Sequence, residues 1–86
     1  MPNYKIVFAP TAEKQFLNLT KTVQLRVANA IAKLAKDPFL GKQLHGQLRD
    51  YRSFRIGDYR VIYYIRQQMV QIEIIRVAHR REVYNF

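Results

Sequence analysis

Apolar side chains recur along this chain with two periods, helical in the first half and alternating in the second. At the start, Tyr4, Ile6 and Phe8 alternate with Lys5 and Val7, the pattern of a short half-buried strand. Pro10 suits a first helical turn, where its missing N–H costs nothing, and Ala12, Phe16 and Leu19 fall on one side of the helix it opens. Thr20 is placed to cap a second helix. In it Val23, Val27, Ala30, Ile31 and Leu34 follow helical spacing. Lys33 and Lys36 complement the dipole of its last turn, and Asp37-Pro38 ends it. The stretch from Phe39 to Leu48, with Gly41 and Gly46, reads as a loop.

Three strands are predicted to follow, Tyr51 to Ile56, Tyr59 to Arg66 and Val70 to Ala78. Gly57-Asp58 between the first two is a two-residue hairpin turn, which fixes the register by counting. Ile56 then pairs with Tyr59 and Arg55 with Arg60. Arg55, Arg60, Ser53, Ile62, Tyr51 and Tyr64 share one face, while Phe54, Ile56, Tyr59 and Val61 share the other and suit packing against the helices. Arg52 and Tyr63 pair on the helix side, with the Arg52 stem over apolar surface. Val70, Ile72 and Ile74 alternate in the last strand until Ile74-Ile75 breaks the pattern, the mark of a bulge or of burial on both faces. Arg76 lies beyond that break, so its face stays open. The tail from Arg80 to Phe86 is long enough for one helical turn. The reading is an α+β fold in the order β-α-α-β-β-β. Two N-terminal helices pack on one face of a mainly antiparallel four-stranded sheet, and residues 1–86 make a single domain.

Composition narrows the class. With 86 residues, 49% hydrophobic and 13% aromatic, the chain supports one modest core and is not a disordered tail. It has no cysteine, which excludes disulfides and thiolate metal sites, and His45 and His79 lack the paired spacing of a zinc motif. No metal and no cofactor are expected. No segment has the length or apolarity of a membrane span or a signal h-region, so the expected compartment is the cytoplasm.

The net charge of +9 attracts polyanions. All six lysines lie at or before Lys42, whereas eight of the nine arginines lie from Arg49 onward. Guanidinium is a planar, permanently charged donor fork suited to phosphate, so the second half is the candidate active half. Two arginines directly opposite each other destabilise a sheet, and a chain that keeps Arg55 against Arg60 is suited to holding an anion between them. Cations, tyrosines and a hydroxyl on one face match phosphates and stacked bases. The alternative is the solvated face of a small sheet, which carries arginine for solubility.

The run Phe54-Arg55-Ile56-Gly57-Asp58-Tyr59-Arg60-Val61-Ile62-Tyr63, then Ile74 to Ala78, then His79-Arg80-Arg81-Glu82-Val83-Tyr84, resembles the RelE/ParE superfamily of bacterial and archaeal toxins. Asp37-Pro38 and Leu44-x-Gly46 resemble it too, so the likeness covers nearly the whole chain. It implies the toxin half of a type II toxin–antitoxin pair. RelE-branch toxins enter the ribosomal A site and cut mRNA there; ParE-branch toxins use the same scaffold to poison DNA gyrase. RelE-type cleavage is metal-independent: the ribose 2′-hydroxyl attacks the adjacent phosphate and the 5′-oxygen leaves. The resemblance implies that Arg60 stabilises the transition-state phosphate, that Arg80 assists the leaving group, and that Tyr84 orients or stacks on the nucleotide.

Where the RelE branch has lysines, this chain has about Tyr51 and Ser53, and His79 is the substitute acid or base, since imidazole can serve as either. Arg55, Ser53 and Arg81 are expected RNA contacts. Arg81 could instead form a surface ion pair with Glu82, and Tyr84 could pack the tail. The implied partners are an acidic RelB-like antitoxin, in a heterodimer or heterotetramer, together with the ribosome and its mRNA. The complete set of Arg60, Arg80 and Tyr84 favours an endoribonuclease over a gyrase inhibitor without chemistry of its own. An inactive toxin that keeps its antitoxin contacts is a third reading.

Overall fold

In the computed structural model, which describes residues 3–82, the chain runs β1 (Lys5–Phe8), α1 (Pro10–Leu17), α2 (Lys21–Lys36), β2 (Lys42–Gln43), β3 (Arg52–Ile56), β4 (Tyr59–Arg66) and β5 (Gln71–His79). Short 3-10 turns occupy Pro38–Leu40, Gly46–Leu48 and Gln67–Met69. The strands form one sheet in the order β1-β5-β4-β3-β2, with β1 parallel to β5 and every other pair antiparallel. Both helices lie on one face, as the apolar periodicity requires. Ala12 of α1 and Val27, Ile31 and Leu34 of α2 form one buried cluster with Val61, Tyr63, Ile72, Ile74 and Val77 of the sheet.

Local chemistry sets the helix ends. Thr20 Oγ1 accepts the Val23 N–H at 3.4 Å, the expected cap of α2. Asp37-Pro38 ends that helix, and the Asp37 carboxylate accepts the Phe39 N–H to start the turn that follows. Gln24 Nε2 donates to the carbonyls of Phe16 and Leu17, occupying acceptors that the last turn of α1 leaves open and tying α1 to α2. β1 reaches only to Ile74 on β5, and beyond it the Gln15 side chain accepts the Val77 N–H at 2.8 Å.

One expectation is corrected. The stretch read as a loop contains β2, so the sheet has five strands rather than four. Lys42 and Gln43 are both polar and exposed, and a two-residue strand held by backbone pairing to Ser53 and Arg52 leaves no alternation to read. The other strand ends differ from the sequence reading by single residues. The irregularity at Ile74-Ile75 is a bulge in the β4–β5 ladder.

Tyr63 decides where the segment before β2 lies. Fully buried on the helix side, its hydroxyl donates to the Pro38 carbonyl at 2.6 Å and accepts the Gly41 N–H at 3.0 Å. A Cβ at position 41 would collide with that hydroxyl, so the site needs glycine. Arg52, opposite Tyr63 in the ladder, donates Nη1 to the Gly41 carbonyl at 2.7 Å and holds its guanidinium 5.0 Å from the Phe39 ring centroid. The expected structural role of Arg52 is what these contacts describe.

Tyr63→Phe should destabilise the fold by about 1–3 kcal/mol in urea unfolding, because it strands a buried carbonyl and a buried N–H. Burial pushes the Tyr63 pKa up, against the Gly41 hydrogen bond that lowers it. The native state therefore favours the neutral phenol, a contribution that is intact below the unfolded value of ~10 and is lost as pH rises through the folded value. Above pH ~10 the wild type should lose stability more steeply than Tyr63→Phe, measured as urea midpoints across an alkaline series.

Candidate functional site

The candidate site is built on the sheet face away from the helices. Gly57 takes a φ of 59° at the first central position of the hairpin and Asp58 does not, the arrangement of a type II′ turn. The ladder follows from it as counted: Arg55 opposite Arg60 and Ser53 opposite Ile62. Arg60 is half-buried, and its Nη1 donates to Ser53 Oγ at a long 3.5 Å, Ser53 itself being only 4% exposed. Arg55 is exposed and turns back to the hairpin, donating Nε to the Gly57 carbonyl at 3.1 Å. Among the described residues no carboxylate lies within ion-pair distance of Arg60.

The bulge extends this face onto β5. Ile62 pairs with Arg76 and Tyr63 with Ile74, so Ile75 is passed over and the parity of β5 reverses. Ile72, Ile74 and Arg76 would share one face in an unbroken strand. With the bulge, Val77 takes the core position, and Arg76 and Ala78 come to the open face beside Ile62 and Arg60. Arg76 is the residue that the sequence reading left unplaced, and the Ile74-Ile75 doublet was its signal.

The face is not simply wet. Ile62 and Ala78 are buried on it, with Leu44 and Tyr51 packed against them, and the Leu44 N–H closes this covering loop on the Tyr51 carbonyl at 3.0 Å. The Tyr51 ring meets Tyr64 edge-on, centroids 5.9 Å apart. Arg66 lies 5.0 Å from the Tyr64 ring centroid and engages Glu73 at 2.6 Å, which neutralises the carboxylate at that end of the face.

Arg80 is exposed, and its backbone N–H donates to the Asp58 carbonyl at 2.8 Å, tethering the chain after β5 to the hairpin turn. Arg55, Arg60 and Arg80 thus gather at one end of the sheet. His79 does not join them. It pairs with Tyr59, on the helix-facing side, and its ring stands edge-on to the Tyr59 ring at 5.7 Å. His79 Nδ1 accepts the Arg81 N–H at 3.3 Å. Arg81 is exposed in the turn that follows β5, and His45 is exposed in the loop over the open face. Tyr84 lies outside the described residues.

Residues 6–84 match the model of a family described as the ParE toxin of type II toxin–antitoxin systems. Two Mycobacterium tuberculosis proteins, toxin RelG and toxin RelE, are each 31% identical to the chain over 83 residues. Each alignment takes in 94% of this chain, and it covers 95% of RelG and 86% of RelE. In fold, the chain is similar to the toxin–antitoxin complex RelBE2 of M. tuberculosis, with a TM-score of 0.83 and 30% identity over 90% of this chain and 98% of that one. The isolated RelE toxin of E. coli superposes with a TM-score of 0.80 over 88% of this chain and 83% of its own; at 22% identity that likeness is one of fold.

Arg55→Gln should raise stability by about 0.2–1 kcal/mol in urea unfolding, because it removes one of two like charges facing each other across the ladder. A loss of stability would mean that the pair does not repel.

Proposed function

Because the chain belongs to the ParE toxin family of type II toxin–antitoxin systems, with RelE-like relatives, we propose that it is a ribosome-dependent mRNA endoribonuclease. The observation that supports this reading most is the gathering of Arg55, Arg60 and Arg80 at one end of the open face, with Arg60 half-buried and uncompensated by any described carboxylate. In the reaction, the 2′-hydroxyl loses its proton as it attacks the adjacent phosphorus. The P–O5′ bond breaks, and the 5′-oxygen gains a proton, leaving a 2′,3′-cyclic phosphate and a 5′-hydroxyl. Negative charge builds on the phosphoryl oxygens meanwhile, and a fixed cation there lowers the barrier most. Arg60 fills that role. Its guanidinium stays charged throughout, so it binds and orients rather than moving protons. Arg80 acts on the leaving oxygen, Tyr84 orients the nucleotide, and Arg55 and Arg81 hold the RNA; Ser53, expected as a further RNA contact, is buried beneath Arg60 and serves to position it. His79, turned toward Tyr59, serves the chain reversal after β5 rather than the phosphate. Catalysis then leans on positioning and charge more than on a side-chain base.

The partner in this reading is an acidic RelB-like antitoxin that offsets part of the +9 charge. A relative of similar fold is described as a toxin–antitoxin complex, RelBE2. A second reading rests on the family description, which names ParE: a gyrase poison that uses the same arginine face for docking alone.

Primer extension on an mRNA in a purified translation system, run beside a gyrase supercoiling assay, separates the two. The expected result is cutting within the A-site codon. Arg60→Ala should lose roughly 2–4 kcal/mol of transition-state stabilisation while the protein remains folded. Intact mRNA with blocked supercoiling would establish the gyrase reading, and full cutting by Arg60→Ala would remove Arg60 from the chemistry.

A further inference from the structure

We infer that Arg26 and Arg55 clamp one phosphodiester of the mRNA at the tip of the β3–β4 hairpin, next to the one bound by Arg60. This rests on the nuclease reading above and adds a residue from α2 to its substrate contacts. Eight of the nine arginines lie from Arg49 onward, and Arg26 is the ninth, alone among the lysines of the first half. The fold removes that isolation. On α2, Arg26 stands three residues after Val23 and four before the buried Ala30, on the flank of the stripe that packs against the sheet. From there its guanidinium reaches the hairpin turn: a Cβ at Gly57 would meet Arg26 Nη2 at 3.1 Å and Cζ at 3.8 Å. Arg55 comes to the same glycine from the open face, donating Nε to its carbonyl. Two cations from different layers of the fold converge on one residue that has no side chain to separate them.

Like charges brought together repel, and among the described residues no carboxylate lies within ion-pair distance of either guanidinium, Asp58 of the turn included. An anion between them relieves the repulsion. Both arginines are exposed. Arg55 gives one of its five N–H donors to Gly57, and Arg26 gives none to a described acceptor. Forks of this kind match the oxygens of a phosphate in pairs. Arg55 lies opposite Arg60 in the ladder, but its bond to Gly57 draws its fork toward the hairpin tip, where Arg26 waits. An anion at Arg55 is therefore shared with Arg26, and Arg60 is left to a second one. Adjacent phosphates of a single strand, leaving the open face over the tip, meet both demands. Gly57 serves the clamp twice, by its φ of 59° in the turn and by letting Arg26 approach the backbone.

The test uses the purified 86-residue chain, titrated against ribosome complexes carrying a defined mRNA in an open A site, and reads cleavage. Arg26→Gln should raise the half-saturating protein concentration several-fold, with the effect falling there rather than on the maximal rate. It should also reduce the slope of log affinity against log salt by about 0.7, the share of one phosphate on a single strand. Arg26→Lys, which keeps the charge, should keep the slope. Arg55→Gln should lose a similar amount, and the double variant no more than either single one, because both charges serve one phosphate. A neutral methylphosphonate beside the scissile phosphate should, on one of its two sides, erase the difference between wild type and Arg26→Gln. A double variant that loses twice as much marks two separate phosphates and overturns the clamp. So does a difference that survives the methylphosphonate on both sides, or an Arg26→Gln protein whose salt slope is unchanged while its urea midpoint falls, the mark of a packing role. In each of these cases Arg60-dependent cleavage keeps the nuclease reading. A wild-type protein that leaves the mRNA uncut overturns both.

Discussion

The register between β4 and β5 is the constraint on which the rest of this molecule depends. β4 is the middle strand, and its two faces must serve a buried core on one side and a cationic surface on the other. Val61 and Tyr63 look toward the helices, and Arg60 and Ile62 look away. For β5 to match both, its own alternation must reverse once along its length. Skipping Ile75 does this at the cost of one unpaired residue. Ile72, Ile74 and Val77 then all reach the core, although they do not share one parity in sequence. A one-residue slip of either strand would exchange arginine for isoleucine at the core, an error large enough to exclude alternative pairings.

A second tier of interactions works outward from that ladder. The Tyr63 hydroxyl and the Arg52 guanidinium each reach backbone groups at the 38–41 turn, so the sheet itself fixes the path of the chain leaving α2. That path sets β2 against β3 and carries Leu44 and Tyr51 over Ile62. The open face thus gains a small apolar floor of its own. Side chains anchored on such a floor present their charged ends with less conformational freedom to lose than chains standing in water.

How far the sequence could be read depended on whether each feature left a local mark. The hairpin was legible to the residue because Gly57-Asp58 limits its loop to two positions and every pair follows by counting. The α2 stripe was legible because four buried positions recur at helical spacing before a proline. β2 was not, since its two polar residues are defined only by what they pair with. The face of Arg76 depended on which strand absorbs the extra residue, a choice made by core packing of distant positions. The doublet announced an irregularity without giving its direction. His79 illustrates the same limit: its type fits acid–base chemistry, yet parity sends it to Tyr59's side of the sheet. The Tyr63 contacts lie 22 and 25 residues away along the chain, and their partners are backbone atoms that carry no sequence signature.

The Gln15 contact with Val77 has a bearing on how this scaffold tolerates change. β5 outruns β1, and past Ile74 its outer edge has no neighbouring strand among the described residues. One amide side chain from α1 satisfies a donor there. Because each helical residue advances about 100° around the axis, an insertion or deletion between Pro10 and Gln15 would swing that amide away from the sheet. Helix α1 is therefore keyed to β5 in rotation as well as in position. Length variation in related chains should be accommodated on the far side of α2, in the segment leading to β3, rather than before Gln15.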